Sequence, residues 1–338
     1  MAEKRLGAQT VYLANPPSIA AYASIVGKKE GEGPLGQYFD KVIEDDLWGE
    51  KSWEKAECKM FEEVSKLAIQ KSGKNQSDIH YLLGGDLLNQ IIASSFAARS
   101  IGIPFFGLYG ACSTMSEALG IGALLIDGGF ADNVLCTVSS HFSTAERQYR
   151  FPLELGSQRP PTAQWTVTGA GASFLSSQGN GPYITLVTIG RVIDLGIKDA
   201  NNMGAAMAPA AVDTLITHFK DTNQRPEDYD LIVTGDLGRI GKEITYDLTK
   251  KQGYDLGNRL FDCGCEIFSE NQDAHAGGSG CGCSASVLNS YILNKINEGI
   301  YRKVLFMATG ALLSTTSSQQ GESIPSIAHA ITIQKERS

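Results

Sequence analysis

The residue with the clearest potential for chemistry is Cys112, in the tetrapeptide Gly110-Ala111-Cys112-Ser113 that opens a predicted helix. A thiol at a helix N-terminus lies at the positive end of the helix dipole, beside backbone N–H groups without helical partners. Both features stabilise a thiolate, lower the pKa of the thiol and make the sulfur a nucleophile. The alternative is structural, because cysteine also packs as a small apolar residue in a crowded turn.

A second group of polar side chains follows the predicted strand 134–138. His141 comes first, and Arg147 and Arg150 follow it. Side chains at the carboxyl ends of strands in helix-covered sheets commonly contact ligands, and arginine suits a bidentate contact with a carboxylate. We therefore predict that these three residues bind a ligand. The alternative is a subunit-facing loop in which Arg147 pairs with Glu146.

The segment 139–169 is rich in turn-forming residues and lacks periodicity. Long ordered loops in compact domains usually serve a function. We predict a lid or binding loop, or alternatively a packed arm at a dimer interface.

Three further residues are predicted to line the same cavity. Asp86 and Asn89 follow an apolar strand, and Ser279 lies in a glycine-rich segment before a second predicted helix. Asp86 has a counterpart in Asp236, and each could instead cap a helix. We favour the cap for Asp236 and leave both interpretations open for Asp86.

Two cysteine pairs, Cys263 with Cys265 and Cys281 with Cys283, raise the question of a metal site. The C-x-C spacing differs from the usual C-x-x-C zinc knuckle, so we predict no metal. Seven cysteines without a secretory signal indicate free thiols in a reducing compartment.

Composition excludes several classes of function. The net charge of −8 disfavours nucleic acid as a partner, because phosphate binding requires a basic surface. Residues 1–9 lack the apolar core of a signal peptide, and no apolar run reaches the roughly 18–20 residues that span a bilayer. We therefore expect a soluble, cytoplasmic-type chain that reaches membranes only peripherally, through a partner.

The elements that position these residues are repeated. Segments 77–87 and 227–237 both read as a short apolar strand with a Gly-Asp-Leu exit, and each follows an amphipathic helix. The helix after Cys112 and the strand after it recur 170 residues later, so the second half carries about 20 extra residues between Leu237 and Gly280.

Alternating helices and strands, repeated in the same order, predict sheets with helices on their faces. The helix after Cys112 is apolar nearly all round, which indicates burial between layers. Its counterpart carries Asn289, Lys295 and Glu298 and is predicted to be somewhat more exposed. We predict a duplicated five-layer α/β/α/β/α sandwich with halves 1–180 and 181–338.

This organisation resembles the thiolase and ketoacyl synthase superfamily. The chain is more closely similar to the stage V sporulation protein AD family, in seven motifs that span nearly all of it: G-E-G-P-L-G (31–36), G-D-L-L-N-Q (85–90), G-A-C-S-T (110–114), S-S-H-x-x-T-A-E-R-Q-x-R-x-P (139–152), M-G-x-A-M-A-P-A-A (203–211), A-G-G-S-G-C-x-C-S-A (276–285) and A-T-G-A-L-L-S (308–314).

The resemblance implies a role in sporulation. It implies a homodimer that binds dipicolinic acid, as free acid or calcium chelate, without a cofactor. The protein would support uptake of that ligand into the developing spore as the soluble part of a SpoVA-type membrane channel complex, peripheral to the spore inner membrane.

The alternative is a cysteine-dependent acyltransferase or condensing enzyme in which Cys112 carries the acyl group and His275 assists. In the superfamily a His or an Asn-Glu pair follows the strand equivalent to 231–233. Here that position reads Thr234-Gly235-Asp236. A carboxylate beside a thiolate raises the pKa of the thiol, so we predict that the chain is not an enzyme. A scaffold without any ligand is a third possibility.

Overall fold

The structure, a computed structural model, describes residues 3–149 and 158–337. The strands are β1 Thr10–Tyr12, β2 Ser18–Val26, β3 Lys41–Val42, β4 Tyr81–Gly85, β5 Phe105–Gly107, β6 Asn133–Ser140, β7 Trp165–Thr166, β8 Gly169–Ser176, β9 Tyr183–Thr188, β10 Leu231–Thr234, β11 Leu260–Asp262, β12 Gly278–Ser279, β13 Lys303–Ala311 and β14 Ser326–Gln334.

The α-helices are α1 Lys28–Gly31, α2 Trp53–Ser72, α3 Ile92–Ile101, α4 Thr114–Asp127, α5 Phe142–Tyr149, α6 Met203–Thr222, α7 Gly238–Lys251, α8 Cys263–Glu266, α9 Cys281–Val287, α10 Leu293–Asn297 and α11 Thr315–Gln319. A π-helical turn, Leu288–Ile292, joins α9 to α10, and a 3₁₀ turn, Ala111–Ser113, leads into α4.

The sheet confirms the predicted duplication. Strands β2, β8, β6, β4 and β5 lie side by side in that order, and β9, β14, β13, β10 and β11 repeat it. In each set the first three strands pair antiparallel and the last three pair parallel. The sets meet where β2 pairs with β9 through one residue pair, Ser18 with Tyr183. The division into halves 1–180 and 181–338 stays an interpretation, and residue 180 falls between β8 and β9.

Two helices form the middle layer between the sets of strands. Helix α4 packs on β6 and β4 on one side and on β13 and β14 on the other. Helix α9 packs on β8 and β6, and its Cys283 thiol contacts the carbonyl oxygen of Gly235, directly after β10. Helices α2 and α3 cover the outer face of the first set, and α6 and α7 that of the second. The five-layer fold is therefore confirmed.

Local sequence explains why the outer helices form where they do. Ser52 caps α2 by accepting a hydrogen bond from Lys55 N, and Gly73 ends the helix in the left-handed conformation. Met60 and Val64 lie on the buried face of α2 at helical spacing. Burying each such side chain contributes roughly 1.5–3 kcal/mol.

The predicted exposure of the second inner helix is wrong at Asn289, which is fully buried. Its side-chain amide donates to the carbonyl oxygen of Ala285 and accepts a hydrogen bond from Ser173 Oγ on β8. Because both ends of the amide are paired, the burial of this polar group carries no unmet desolvation cost.

The described residues of segment 139–169, which are 139–149 and 158–169, are more regular than predicted, because they contain α5 and β7. The other residues of this predicted loop, 150–157, lie outside the described residues. Helix α5 has eight residues, of which Thr144, Ala145 and Glu146 are buried. So short an amphipathic helix has little periodicity to recognise. The insertion in the second half lies mostly after β11, where α8 and a loop precede α9.

Candidate functional site

The turn that carries Cys112 is held in a strained conformation. Ala111 has a φ of 49°, in the left-handed region that favours glycine. Ser113 Oγ donates to the carbonyl oxygen of Gly110 at 2.7 Å. Gly310, near the end of β13, lies so close that a Cβ added there would be 2.0 Å from the Gly110 carbonyl oxygen. The two halves of the fold therefore lock this turn from both sides.

A cavity of about 50 Å³ lies beside Cys112. Its lining is mostly apolar and comprises Leu87, Ala111, Cys112, Ala145, Tyr149, Thr166, Met203, Ser279, Ala311 and Leu313. A second cavity of about 40 Å³ shares five of these residues, Ala145, Tyr149, Thr166, Met203 and Ser279, and adds Glu146, Gln164, Ala200 and Asn201. A cavity that admits benzene measures about 150 Å³, so a ring-sized ligand requires side chains to move.

The Cys112 thiol is not the predicted thiolate. Its complete burial raises its pKa well above the ordinary value, and the neighbouring Asp236 and Cys281 act in the same direction. The dipole of α4 does not offset this loss of hydration. The free energy needed to bury a thiolate in apolar surroundings exceeds the stabilisation that a helix N-terminus provides. Cys112 is therefore a neutral thiol in this state of the site.

The group beside Cys112 is the carboxyl of Asp236, which is fully buried. Its Oδ2 accepts hydrogen bonds from Gly280 N at 2.9 Å and from Ser279 Oγ at 3.2 Å. Burial raises the pKa of Asp236 to about 7, although the Cys112 thiol and the Gly280 N–H lower it. No N–H or O–H group in the described part of the chain donates to Asp236 Oδ1.

The prediction that Asp236 caps a helix is wrong. The carboxyl that serves the start of α7 belongs to Asp262, whose two oxygens accept from Leu237 N and Gly238 N. Asp236 instead accepts a hydrogen bond from Gly280 N, directly before α9. The sequence predicted the carboxylate beside the Cys112 thiol correctly, from the place of Asp236 directly after β10, but not its hydrogen bonds to Ser279 and Gly280.

Two predicted ligand-binding residues lie away from the cavities. Asp86 is buried, and its oxygens accept from Leu88 N and from the N–H and hydroxyl groups of Ser94 in α3. Asp86 therefore stabilises the start of α3, in agreement with the helix-capping alternative and not with ligand binding. Asn89 is exposed, and its N–H donates to Gln148.

His141 and Arg147, which follow β6, also make their contacts outside the two cavities. His141 is buried, with Nε2 bonded to the carbonyl oxygen of Asp46 at 2.8 Å and Nδ1 accepting from Ser143 N. Burial lowers its pKa, so it is neutral near pH 7. Arg147 lies 3.5 Å from Glu54, not Glu146, and covers the ring of Trp53. Arg150 lies outside the described residues.

His275 does not face the Cys112 cavity. Its Nδ1 is bonded to the carbonyl oxygen of Pro160 and its Nε2 to Asp273, both at 2.8 Å. It lines an open surface cleft with Arg239. Of the predicted site residues that the structure describes, Cys112 and Ser279 are brought together at the cavity.

The second cysteine pair bonds to backbone oxygens. The Cys281 thiol donates to Ser139 O at 3.0 Å, and the Cys283 thiol to Gly235 O at 3.4 Å. Across residues 3–149 and 158–337, no group of three or more His, Cys, Asp or Glu side chains is arranged to hold a metal ion.

Several cavity residues carried no signal in the sequence. Tyr149, Met203 and Leu313 come from α5, the start of α6 and the loop after β13. They meet only because the two halves are stacked, which local patterns do not reveal. Tyr149 is held in place by a 2.7 Å hydrogen bond from its hydroxyl to Leu87 O.

Comparison with known proteins identifies the family. The sequence profile of stage V sporulation protein AD (SpoVAD) matches residues 7–334. The chain belongs to this family. It is also 46% identical over 332 residues to stage V sporulation protein AD of Bacillus subtilis (strain 168), covering 98% of each chain. Membership supports a role in sporulation.

Solved structures confirm the thiolase-like fold. A 3-oxoacyl-[acyl-carrier-protein] synthase III from Aquifex aeolicus has a TM-score of 0.57 at 14% identity, covering 94% of this chain and 99% of its own. Human mitochondrial 3-ketoacyl-CoA thiolase reaches 0.59 at 12%, covering 97% and 99%. The E117Q variant of Xanthomonas campestris OleA reaches 0.60 at 14%, covering 95% and 99%. At such identities the likeness establishes the fold alone.

Proposed function

We propose that this protein is a non-catalytic member of its fold that binds dipicolinic acid, as free acid or calcium chelate, in the cavity beside Cys112. Through that binding it supports uptake of dipicolinic acid into the developing spore. The observation that carries the proposal is the pairing of Cys112 with the buried carboxyl of Asp236, where a condensing enzyme of this fold requires a proton-transferring partner.

This pairing disfavours acyl transfer. A nucleophilic cysteine needs a base or positive group that stabilises its thiolate. Asp236 does the opposite, because its negative charge raises the pKa of the thiol. His275, the other residue required by the enzyme hypothesis, is engaged with Pro160 and Asp273.

The cavity lining suits a small ring once it opens. Leu87, Met203 and Leu313 offer apolar contact, and Cys112 and Ser279 offer polar groups. In the described part of the chain, no Lys, Arg or His lines either cavity. Arg147 and Arg150 stay proposals for contacts with the ligand carboxylates, and Arg150 directly follows the cavity residue Tyr149 in the sequence.

The proposed partners are the membrane proteins of a SpoVA-type channel complex at the spore inner membrane. Within residues 3–149 and 158–337, none of the helices has the length and apolar character required to cross a bilayer. We propose that the protein reaches the membrane through those partners.

We also propose a homodimer formed along β5. This strand ends the sheet, and no described strand pairs with its outer edge. Phe106 on β5 is 48% exposed, Phe96 on α3 is 45% exposed, and Tyr109, two residues after β5, is 44% exposed. Such an apolar edge is typical of a surface that pairs with another chain.

Phe106→Asp is expected to convert the dimer to a monomer, because a charge would be buried at the centre of the interface. Light scattering after size exclusion measures the mass. Phe130→Asp is the matched control, since Phe130 is 70% exposed and follows the far end of α4. A Phe106→Asp variant that stays dimeric contradicts the proposal.

Titration calorimetry with dipicolinate tests the binding function. We expect micromolar affinity, and we expect Cys112→Ala to weaken it about tenfold because it removes a polar group from the cavity wall. Cys136→Ala is the matched control: that thiol is equally buried, but it donates to Ala118 O in the core.

Mass spectrometry after incubation with an acyl-CoA tests the alternative. We expect no mass increase on Cys112. An acyl adduct on Cys112, together with absent dipicolinate binding, would replace the proposal with the acyltransferase function.

A further inference from the structure

We propose that Asp236 is a positioning residue whose proton sets the hydrogen-bond polarity of the cavity wall, so that the protonated form binds a carboxylate ligand and the ionised form repels it. This inference rests on the proposed function and adds the means by which a cavity without a described basic side chain accepts an anion.

Asp236 lies behind the cavity wall, next to the side chains of Ser279 and Cys112. Ser279 lines both cavities, and its hydroxyl donates to Asp236 Oδ2 at 3.2 Å. Cys112 lines the larger cavity, and Asp236 raises the pKa of its thiol. The Ser279 hydroxyl has a single hydrogen. While that hydrogen points at an ionised Asp236, the hydroxyl presents only lone pairs to the cavity.

A proton on Asp236 reverses this arrangement. The free atom for it is Oδ1, which no described N–H or O–H group bonds, while Oδ2 keeps its bond from Gly280 N. A neutral carboxyl holds the hydrogen of the Ser279 hydroxyl less strongly than a carboxylate does, so that hydrogen can turn to a ligand carboxylate. A neutral carboxylic acid in an apolar site acts similarly when it supports an oxyanion.

The surroundings of Asp236 favour that proton. The titratable groups that act on it or are influenced by it are acids and thiols: Asp262 at the end of β11, Cys263 in α8, Cys112 before α4, and Cys281 and Cys283 in α9. Burial raises the pKa of Asp236 to about 7, and a bound anion would raise it further. Binding above neutral pH should therefore take up a proton.

Calorimetry between about pH 6 and pH 8.5 tests the inference, because dipicolinate is a dianion throughout this range. Below about pH 7 the Kd should be nearly constant, and above it the Kd should rise about tenfold per pH unit, as expected for one linked proton. Repeating the titration at about pH 8 in two buffers of different ionisation enthalpy should show uptake of about one proton per ligand.

Asp236→Asn mimics the protonated carboxyl, since its amide oxygen can still accept from Gly280 N. We expect this variant to bind with the low-pH affinity of the wild-type chain and to show less than about a twofold change across the range. Glu117→Gln is the matched control. Glu117 is a half-buried carboxyl in α4 whose pKa is also raised by burial, but it lines neither cavity. Its variant should keep the wild-type pH dependence.

The outcomes separate this inference from the proposed function. Absence of dipicolinate binding at every pH would remove the function itself. Binding by the wild-type chain without pH dependence or proton uptake would overturn the role of Asp236 alone. So would a folded Asp236→Asn variant that keeps the pH dependence or fails to bind.

Discussion

Asp236→Asn should make the protein more stable than the wild-type chain at about pH 8.5, by about 2–4 kcal/mol, and no more stable at about pH 4. The pKa of Asp236 is 3.8 when unfolded and about 7 when folded. Because the folded value is the higher, the stabilising contribution is complete below about pH 4 and is lost as the pH rises through 7. Denaturant unfolding at both pH values measures the difference.

Asp86→Asn is the contrasting control. Asp86 is as buried as Asp236, but three hydrogen-bond donors use both of its oxygens. Replacing one oxygen by an amide removes an acceptor from Ser94, which costs about 1–3 kcal/mol. Because burial raises the pKa of Asp86 too, this loss should be fully visible at about pH 4 and partly offset at about pH 8.5. A loss of stability in Asp236→Asn at about pH 8.5 would contradict the prediction. It would mean that hydrogen bonds to the ionised Asp236 outweigh the cost of burying its charge.

Gly310→Ala should destabilise the protein by more than about 3 kcal/mol and abolish dipicolinate binding. The added Cβ would lie 2.0 Å from the Gly110 carbonyl oxygen and 3.2 Å from Ala111 Cβ. Neither is the end of a flexible side chain, so the Cys112 turn must shift. Thermal unfolding and calorimetry with dipicolinate measure the two effects.

Gly120→Ala provides the comparison within the same layer. Gly120 lies inside α4, where alanine favours the helix by about 1 kcal/mol, and its added Cβ would meet only a methyl group of Val187, at 3.0 Å. Its stability should stay within about 1 kcal/mol of the wild-type value. Equal losses of stability in the two variants would mean that the close contact between Gly310 and Gly110 does not hold the Cys112 turn in place.

The fold could be predicted from the sequence because the same succession of helices and strands occurs in both halves. The paired segments 77–87 and 227–237 predicted that the same succession of helices and strands recurs in each half, and the apolar character of α4 predicted a buried middle layer. Asn289 was misjudged because its burial depends on Ser173, a partner on a strand more than 100 residues away. No local pattern reports such a contact.

The candidate site was less predictable, for electrostatic reasons. The position of Cys112 at a helix start was evident, but the sign of its pKa shift depends on burial and on Asp236, which only the assembled fold reveals. His141 and Asp86 follow strands, as ligand-binding residues often do, yet their polar atoms are used by Asp46 and Ser94. Position along a strand therefore indicated the right end of the sheet without indicating which side chains face the cavity.

The two sets of strands share only one residue pair, Ser18 with Tyr183, so each half depends on the other to cover its inner face. A chain of half this length with the same strand order would leave its inner sheet face and its apolar helix in contact with water. It could fold only by associating with a copy of itself, with the two inner helices enclosed between the copies. In this chain each half covers the inner face of the other, and the equivalent positions Asp86 and Asp236 serve different helices, Asp86 at the start of α3 and Asp236 at the start of α9.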